Sequence, residues 1–546
     1  MELVSQHAKG IMEECKIRAR DQGLTFDDET LEYIVTNRDM IELSPKIMIP
    51  TLYDYWVHDV RVLSGKGMYE AYPSNPYETV INTRPAISFY NDNNPDWLNV
   101  MIFYHVLGHI DFFQNNLFYK NTWDIDLTGQ ALSDKRVIAQ LRSEKGRWVD
   151  YVIEFSRGID NLVGYQKELN YNIRKDTRRR LSKIDFYFDI FLQKIKNVSP
   201  NGYLKEITRY NAARKSNKNF FDPVIGKYPE FEELYRKELS IKVKSDQDVM
   251  EYILRFSPFL KEEENEWIKS VIQIVRNTSL YFQPQIRTKI MNEGWASYWH
   301  ETLFMRDDRI CGHETDFAKV NAAVTSMPKV GLNPYALGLR LFQHIKEMED
   351  KGCYSFDYMF LEDEVAKKKY NQGKKSGAQF ILETRENFID FTFINTFIDQ
   401  EFVAKHNLFV AGKRFNSTRM TWEFYIKSKK AEDYKSMVID TLYHPPEIFV
   451  DKASSKKGIL YLNHKFENKP LKMDFIENTM VGIEYLWGGP VHIETSEPVA
   501  SGKGAASYGS FWDPSSPKLS QKKMEPVKWK RMRYVMENRK LHKREL

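Results

Sequence analysis

For most of its first 410 residues the chain repeats apolar positions at helical spacing. Ile11, Cys15 and Ala19 predict an amphipathic helix over 5–22, and a short helix is expected over 29–36. Turn signals then alternate with short apolar runs until Pro85, and 77–89 reads as extended chain. Asn91-Asp92-Asn93-Asn94-Pro95-Asp96 is a loop that launches a helix through 116, with Asp96 expected as its N-cap. Long charge-rich helices are expected over 135–156 and 160–196. Residues 197–245, with Pro200, Pro223 and Pro229, read as an irregular polar excursion. Helices resume over 246–256, 262–279, 284–303, 316–326, 334–349 and 387–409, with Pro284 in the first turn of its helix. At Asn333-Pro334 a capping side chain precedes a proline at the first helical position.

Near Met420 the period changes. Strand, helix, strand, strand, helix and strand follow in turn up to residue 495, an order that predicts a ferredoxin-like βαββαβ unit. The expected organisation is a mostly helical core over 1–410, an α+β domain over 420–497, and a flexible linker with a basic tail over 498–546. The fold class is therefore mainly α with a smaller α+β part.

Charge singles out the tail. From Lys518 to the end it carries 11 Lys/Arg against 3 Asp/Glu, so the rest of the +5 chain is close to neutral. Lys528-Trp529-Lys530-Arg531 interleaves aromatic and cationic groups, which suits nucleic acid, anionic lipid or an acidic protein surface, or a merely soluble tail. Three scattered cysteines, Cys15, Cys311 and Cys353, exclude a disulfide framework and a Cys-x-x-Cys metal site. With no signal-peptide pattern and no membrane-length apolar run, the expected setting is a reducing cytoplasm.

The chemistry centres on Tyr104-His105-Val106-Leu107-Gly108-His109. Two histidines four apart on a helix reach one metal ion. Zincin proteases use this spacing in His-Glu-x-x-His, but here Val106 stands where the water-activating glutamate would be. Asn292-Glu293-Gly294-Trp295-Ala296 offers a third ligand, Glu293, with His300 two turns along on the same face. Glu301, Asp111 and His300 are candidates to accept a proton in place of the missing glutamate. Tyr335 falls at a helix N-terminus, where its hydroxyl either faces an oxyanion or packs in the core. His313 and His344 are either further ligands or ordinary histidines.

These stretches, with Val80-Ile81-Asn82-Thr83-Arg84-Pro85, Thr288-Lys289-Ile290-Met291-Asn292-Glu293-Gly294-Trp295-Ala296, Leu332-Asn333-Pro334-Tyr335 and Leu486-Trp487-Gly488, resemble the SpoVR family (stage V sporulation protein R). The resemblance runs from about residue 40 to about 495. It implies a link to sporulation and the spore cortex, or to cell-wall and stress regulation, and a PrkA-type serine protein kinase as partner. A looser similarity to gluzincin metallopeptidases implies His105, His109 and Glu293 as ligands of a divalent metal, zinc first. Three readings follow: a metal-dependent amide hydrolase acting on peptide or peptidoglycan-like material, a non-catalytic regulator on a degenerate zincin-like core, and a nucleic-acid or other anion-binding factor.

Overall fold

The computed structural model describes residues 2–36, 39 and 78–546, apart from 28, 123–126, 164–182, 197, 199, 216–219, 241–246, 418, 443–444, 457, 467–469 and 499–528. The described chain is mainly helical and divides into two compact units. Met1–Ile153 and Ser270–Pro445 form one; Glu154–Lys269 and Pro446–Leu546 form the other.

The first unit is built around the helix Asp96–Asn115, which is apolar on nearly every side and buried from Val100 to Phe113. A helix hydrophobic all round belongs inside a core. Its polar residues must then find partners, because an unpaired polar group in such surroundings is costly. Two more helices, Lys289–Phe304 and Pro334–Lys351, join it in one apolar cluster that includes Leu107, Trp295 and Phe342. Small residues set their spacing. A Cβ on Gly294 would lie 2.3 Å from the Cα of Gly338, and one on Gly108 would lie 2.7 Å from the Cα of Ala296. The Gly294-Trp295-Ala296 string thus lets three helix backbones meet and carries Glu293 toward the His105 helix.

Caps fix where these helices begin. Asn333 accepts from the backbone N–H groups of Tyr335 and Ala336, with Pro334 in the first turn. Asp390 caps the Lys289 helix from a distance, accepting from Ile290 and Met291 N–H at 2.9 Å each. Pro284 lies inside the helix Glu266–Arg287 rather than opening the next one, and the break comes at Thr288. Asp96 sits in the first turn of its helix, with Pro95 at the cap.

A four-stranded sheet flanks this core. β1 (Glu2–Leu3), β2 (Thr30–Val35), β3 (Glu78–Ile81) and β4 (Ala86–Asn91) lie in the order β1-β2-β4-β3, with β2 and β4 parallel. Thr30–Val35 is a strand where a short helix was expected; Ile34 and Val35 are β-branched and pair beside Tyr90 and Asn91. The unit also holds a hairpin of β5 (Val410–Asn416) and β6 (Thr421–Ser428), followed by the helix Ala431–Thr441.

The second unit contains β7 (Ile448–Val450), β8 (Leu460–His464), β9 (Val491–Pro498), β10 (Trp529–Glu537) and β11 (Lys540–Glu545) in one sheet, ordered β11-β10-β9-β8-β7. The helix Met473–Trp487 makes the crossover between parallel β8 and β9. Helices Pro200–Lys215, Phe221–Lys227 and Phe231–Ser240 occupy much of the stretch expected to be irregular; Phe220, Val224 and Phe231 join an aromatic cluster with Phe186, Tyr187 and Phe191.

The strand–helix order expected after residue 420 is present, but the pairing differs from a ferredoxin-like sheet. β6 pairs with the strand just before it, and Tyr434 and Val438 of the following helix pack into the first unit's core. The expected boundary at 420 therefore falls within one compact unit. The basic segment from Trp529 onward is not a tail: it forms β10 and β11, with Met532, Tyr534 and Met536 buried. The linker expected near 501–510 lies outside the described residues.

Candidate metal centre

His105 and His109 project from one face of the buried helix, their rings 4.6 Å apart and nearly perpendicular. Each turns its Nδ1 toward a neighbour and its Nε2 toward a carboxylate. His109 Nδ1 lies 2.9 Å from Asn292 Oδ1, an acceptor, so His109 donates from Nδ1. Its Nε2 stands 3.6 Å from Glu293 Oε2.

His105 is set by a longer chain of contacts. Asn321 donates from Nδ2 to Glu301 Oε2 at 3.0 Å, which aims its Oδ1 at His300 Nε2, 2.9 Å away. His300 therefore donates from Nε2 and keeps a lone pair on Nδ1. That lone pair faces His105 Nδ1 at 2.9 Å and accepts its proton. The lone pair of His105 is left on Nε2, 4.0 Å from Glu78 Oε1. Burial pushes His105 well below the ordinary imidazole range, helped by its two histidine neighbours; burial lowers His300 too. Both rings are thus neutral, as this hydrogen-bond chain requires.

Glu78, His105 and His109 offer ligand atoms within 4.8 Å of one another. The His109–Glu293 and His105–Glu78 separations, 3.6 and 4.0 Å, exceed the roughly 3.3 Å between ligand atoms around tetrahedral zinc, so the groups would draw in on an ion. Imidazole lone pairs and carboxylates converge here, and the two rings have their other nitrogens held from behind. Residues of these types, backed in this way, could hold a divalent cation. Tyr335 closes one side: its ring stacks 6.2 Å from His105. Burial first, then the Glu293 and Glu78 charges, raise its pKa, so the phenol stays protonated.

The other candidates have different surroundings. Glu301 is held by Asn321 and by Gln343 Nε2 at 3.2 Å. His300 lies behind His105. Asp111, fully buried, accepts from Trp295 Nε1 at 2.8 Å and Thr25 N–H at 2.8 Å and pairs with Arg385 at 3.4 Å. His344 faces Asp399 at 3.1 Å, and His313 precedes the helix Glu314–Thr325 and stacks on Trp97. Val106 lies in the apolar cluster with Leu107 and Ile110, so a glutamate there would be a carboxylate buried among hydrocarbon. The sequence reading missed Glu78, Asn292 and Asn321. Asn292 sat inside a motif already singled out, but nothing local marks Glu78 or Asn321.

A family model described as SpoVR like protein matches residues 4–444. The chain belongs to the SpoVR family. Within the curated proteins, the uncharacterized protein YcgB of Escherichia coli (strain K12) is 24% identical over 343 residues, covering 60% of this chain and 61% of YcgB. The chain thus spans about three fifths of that relative's length. No solved structure matches it. The SpoVR match takes in both helices of the metal centre and stops where the second unit's sheet begins. Among the described residues no helix is long and apolar enough to cross a membrane.

Proposed function

We propose that this SpoVR-family chain is a divalent-metal protein in which His105, His109 and Glu293, joined by Glu78, hold the ion, zinc first among candidates. One observation carries the reading: Glu78, His105 and His109 offer ligand atoms within 4.8 Å of one another, and Glu293 stands 3.6 Å from His109, an arrangement that a cation would stabilise. A metal bound there would acidify a water or polarise a carbonyl. The chain's own groups do the rest. Whichever of Glu78 and Glu293 leaves the ion would take the proton that His-Glu-x-x-His enzymes give to their glutamate, and the Tyr335 hydroxyl would donate toward a developing oxyanion. The reaction class is amide hydrolysis on peptide or peptidoglycan-like material, on a gluzincin-like helical core. The setting is cytoplasmic, in sporulation or cell-wall and stress regulation beside a PrkA-type kinase.

A second reading keeps the metal and drops catalysis. It is favoured by Val106, which leaves no carboxylate at the usual base position. In that case the centre holds the helical core in the form a partner reads. Elemental analysis of purified protein tests both. About one equivalent of metal is expected, lost in His105→Ala and Glu293→Ala. Turnover of peptides or muropeptides by the loaded protein then selects hydrolase over regulator. Protein that takes up no metal after dialysis against zinc, manganese or ferrous iron overturns both.

A further inference from the structure

The β5–β6 hairpin carries a surface that the metal centre does not use. Its register pairs Ala411 with Ile426, Lys413 with Phe424 and Phe415 with Trp422. Side chains alternate across a strand, so these six share one face. Phe415, Trp422, Phe424 and Ile426 are 41%, 48%, 57% and 51% exposed. Four large apolar groups left in water on one sheet face mark an interaction site.

Charge says what would cover it. From Val410 to Lys430 the chain has six Lys/Arg (Lys413, Arg414, Arg419, Lys427, Lys429, Lys430) and a single acid, Glu423. Glu423 points to the opposite face, where it pairs with Arg414 at 3.6 Å and is 3.8 Å from Arg419. On the aromatic face Lys413 lies over Trp422, 4.9 Å from the ring centroid. The segment is therefore strongly cationic, and two copies stacked face to face would repel. Asn416, near the turn, and the Arg414–Glu423 pair on the back face oppose end-on burial of the hairpin in lipid.

We propose that this face binds single-stranded nucleic acid, with Trp422, Phe424 and Phe415 as stacking platforms and Lys413 and its neighbours on the phosphates. Rings on alternate residues of a strand sit about 6.7 Å apart. That is about twice the 3.4 Å axial rise per nucleotide in duplex DNA, so the face suits bases drawn apart and laid on rings. Stacking of this kind reads no sequence, and the salt dependence falls on the lysines.

Fluorescence anisotropy of labelled oligo-dT and oligo-U, each about 12 nucleotides, titrated with the full chain tests the proposal. Binding to either is expected, and the tighter of the two identifies the natural sugar. Trp422→Ala and Phe424→Ala should each weaken it about tenfold. Lys413→Ala should flatten the slope of log affinity against log salt by about 0.7. Arg531→Ala, on β10, should change nothing. All four positions are partly or fully exposed, and unchanged thermal melting will certify folding. Four outcomes overturn the proposal: no binding to either oligonucleotide; binding that Trp422→Ala leaves intact; Trp422-dependent binding to phosphatidylserine vesicles without oligonucleotide binding; and Trp422-dependent dimers in place of oligonucleotide binding.

Discussion

Two buried polar clusters lie on the same pair of helices, and they are balanced in different ways. Asp111 and Trp295 belong to one, His105, His109 and Glu293 to the other. Asp111 has its cation within the chain, Arg385, and its remaining oxygens accept from Trp295 and Thr25. Burial raises Asp111 to about 6, with Arg385 and these donors opposing the shift. Around His105 and His109 the described contacts are with imidazole nitrogens, an amide oxygen and carboxylates, and burial keeps the His105 ring neutral. A closed cluster of the first type stabilises a core. A cluster of the second type, on the reading proposed above, takes a cation from outside the chain. Burial and residue type alone do not separate the two; the hydrogen-bond directions do.

The sharpest way to break this comparison is to remove the internal cation. Arg385→Met should lower stability by about 3–5 kcal/mol at pH 8, since it strands a buried carboxylate, and should leave metal content intact. Denaturant unfolding and elemental analysis on the same sample check both halves. Loss of metal together with stability would mean the clusters are one unit.

A smaller effect should follow from cutting the chain of contacts behind His105. Asn321→Leu removes the group that orients His300 and, through it, His105. Metal affinity measured by competition with a chelator should fall by about 10- to 100-fold, the usual cost of losing an outer-shell partner. Glu301→Leu should fall in the same direction but by less, because it acts one step further back. Unchanged affinity in Asn321→Leu would show that the His105 tautomer is set elsewhere.

A third buried carboxylate, Asp390, is held by backbone N–H groups with no arginine among its described contacts, and its effect is confined to a pH window. Burial raises it to about 7, against the help of two backbone N–H donors. The folded state therefore holds its proton more tightly than the unfolded chain does. The stability this contributes is fully present below the ordinary carboxylate range and is lost as pH rises toward 7. Wild type should lose about 3 kcal/mol relative to Asp390→Asn between pH 4.5 and 7.5. Urea unfolding at the two pH values measures it, and a difference of the opposite sign would mean the N–H donors outweigh burial.

Much of the centre could be read along the chain. The four-residue spacing of His105 and His109 follows from the helix period, and Asn333-Pro334 announced its own cap. The strands and helices after 420 were legible from their changes of period. What could not be read was every relation between distant segments. Glu78 reaches His105 from a strand and Asn321 reaches His300 from another helix, while glycine contacts at 108, 294 and 338 bring the three core helices close together. The Trp529 segment looked like a basic tail, because alternation with Lys and Arg on one side is shared by a solvated strand and a solvated coil. Only burial of Met532, Tyr534 and Met536 against the sheet distinguished them. Likewise β6 had a clear strand pattern, but that pattern names no partner. The sequence by itself determined which faces each segment presents, since face is set by local geometry. The tertiary structure decided which faces meet, since that depends on backbone approach, pairing register and hydrogen-bond direction across hundreds of residues.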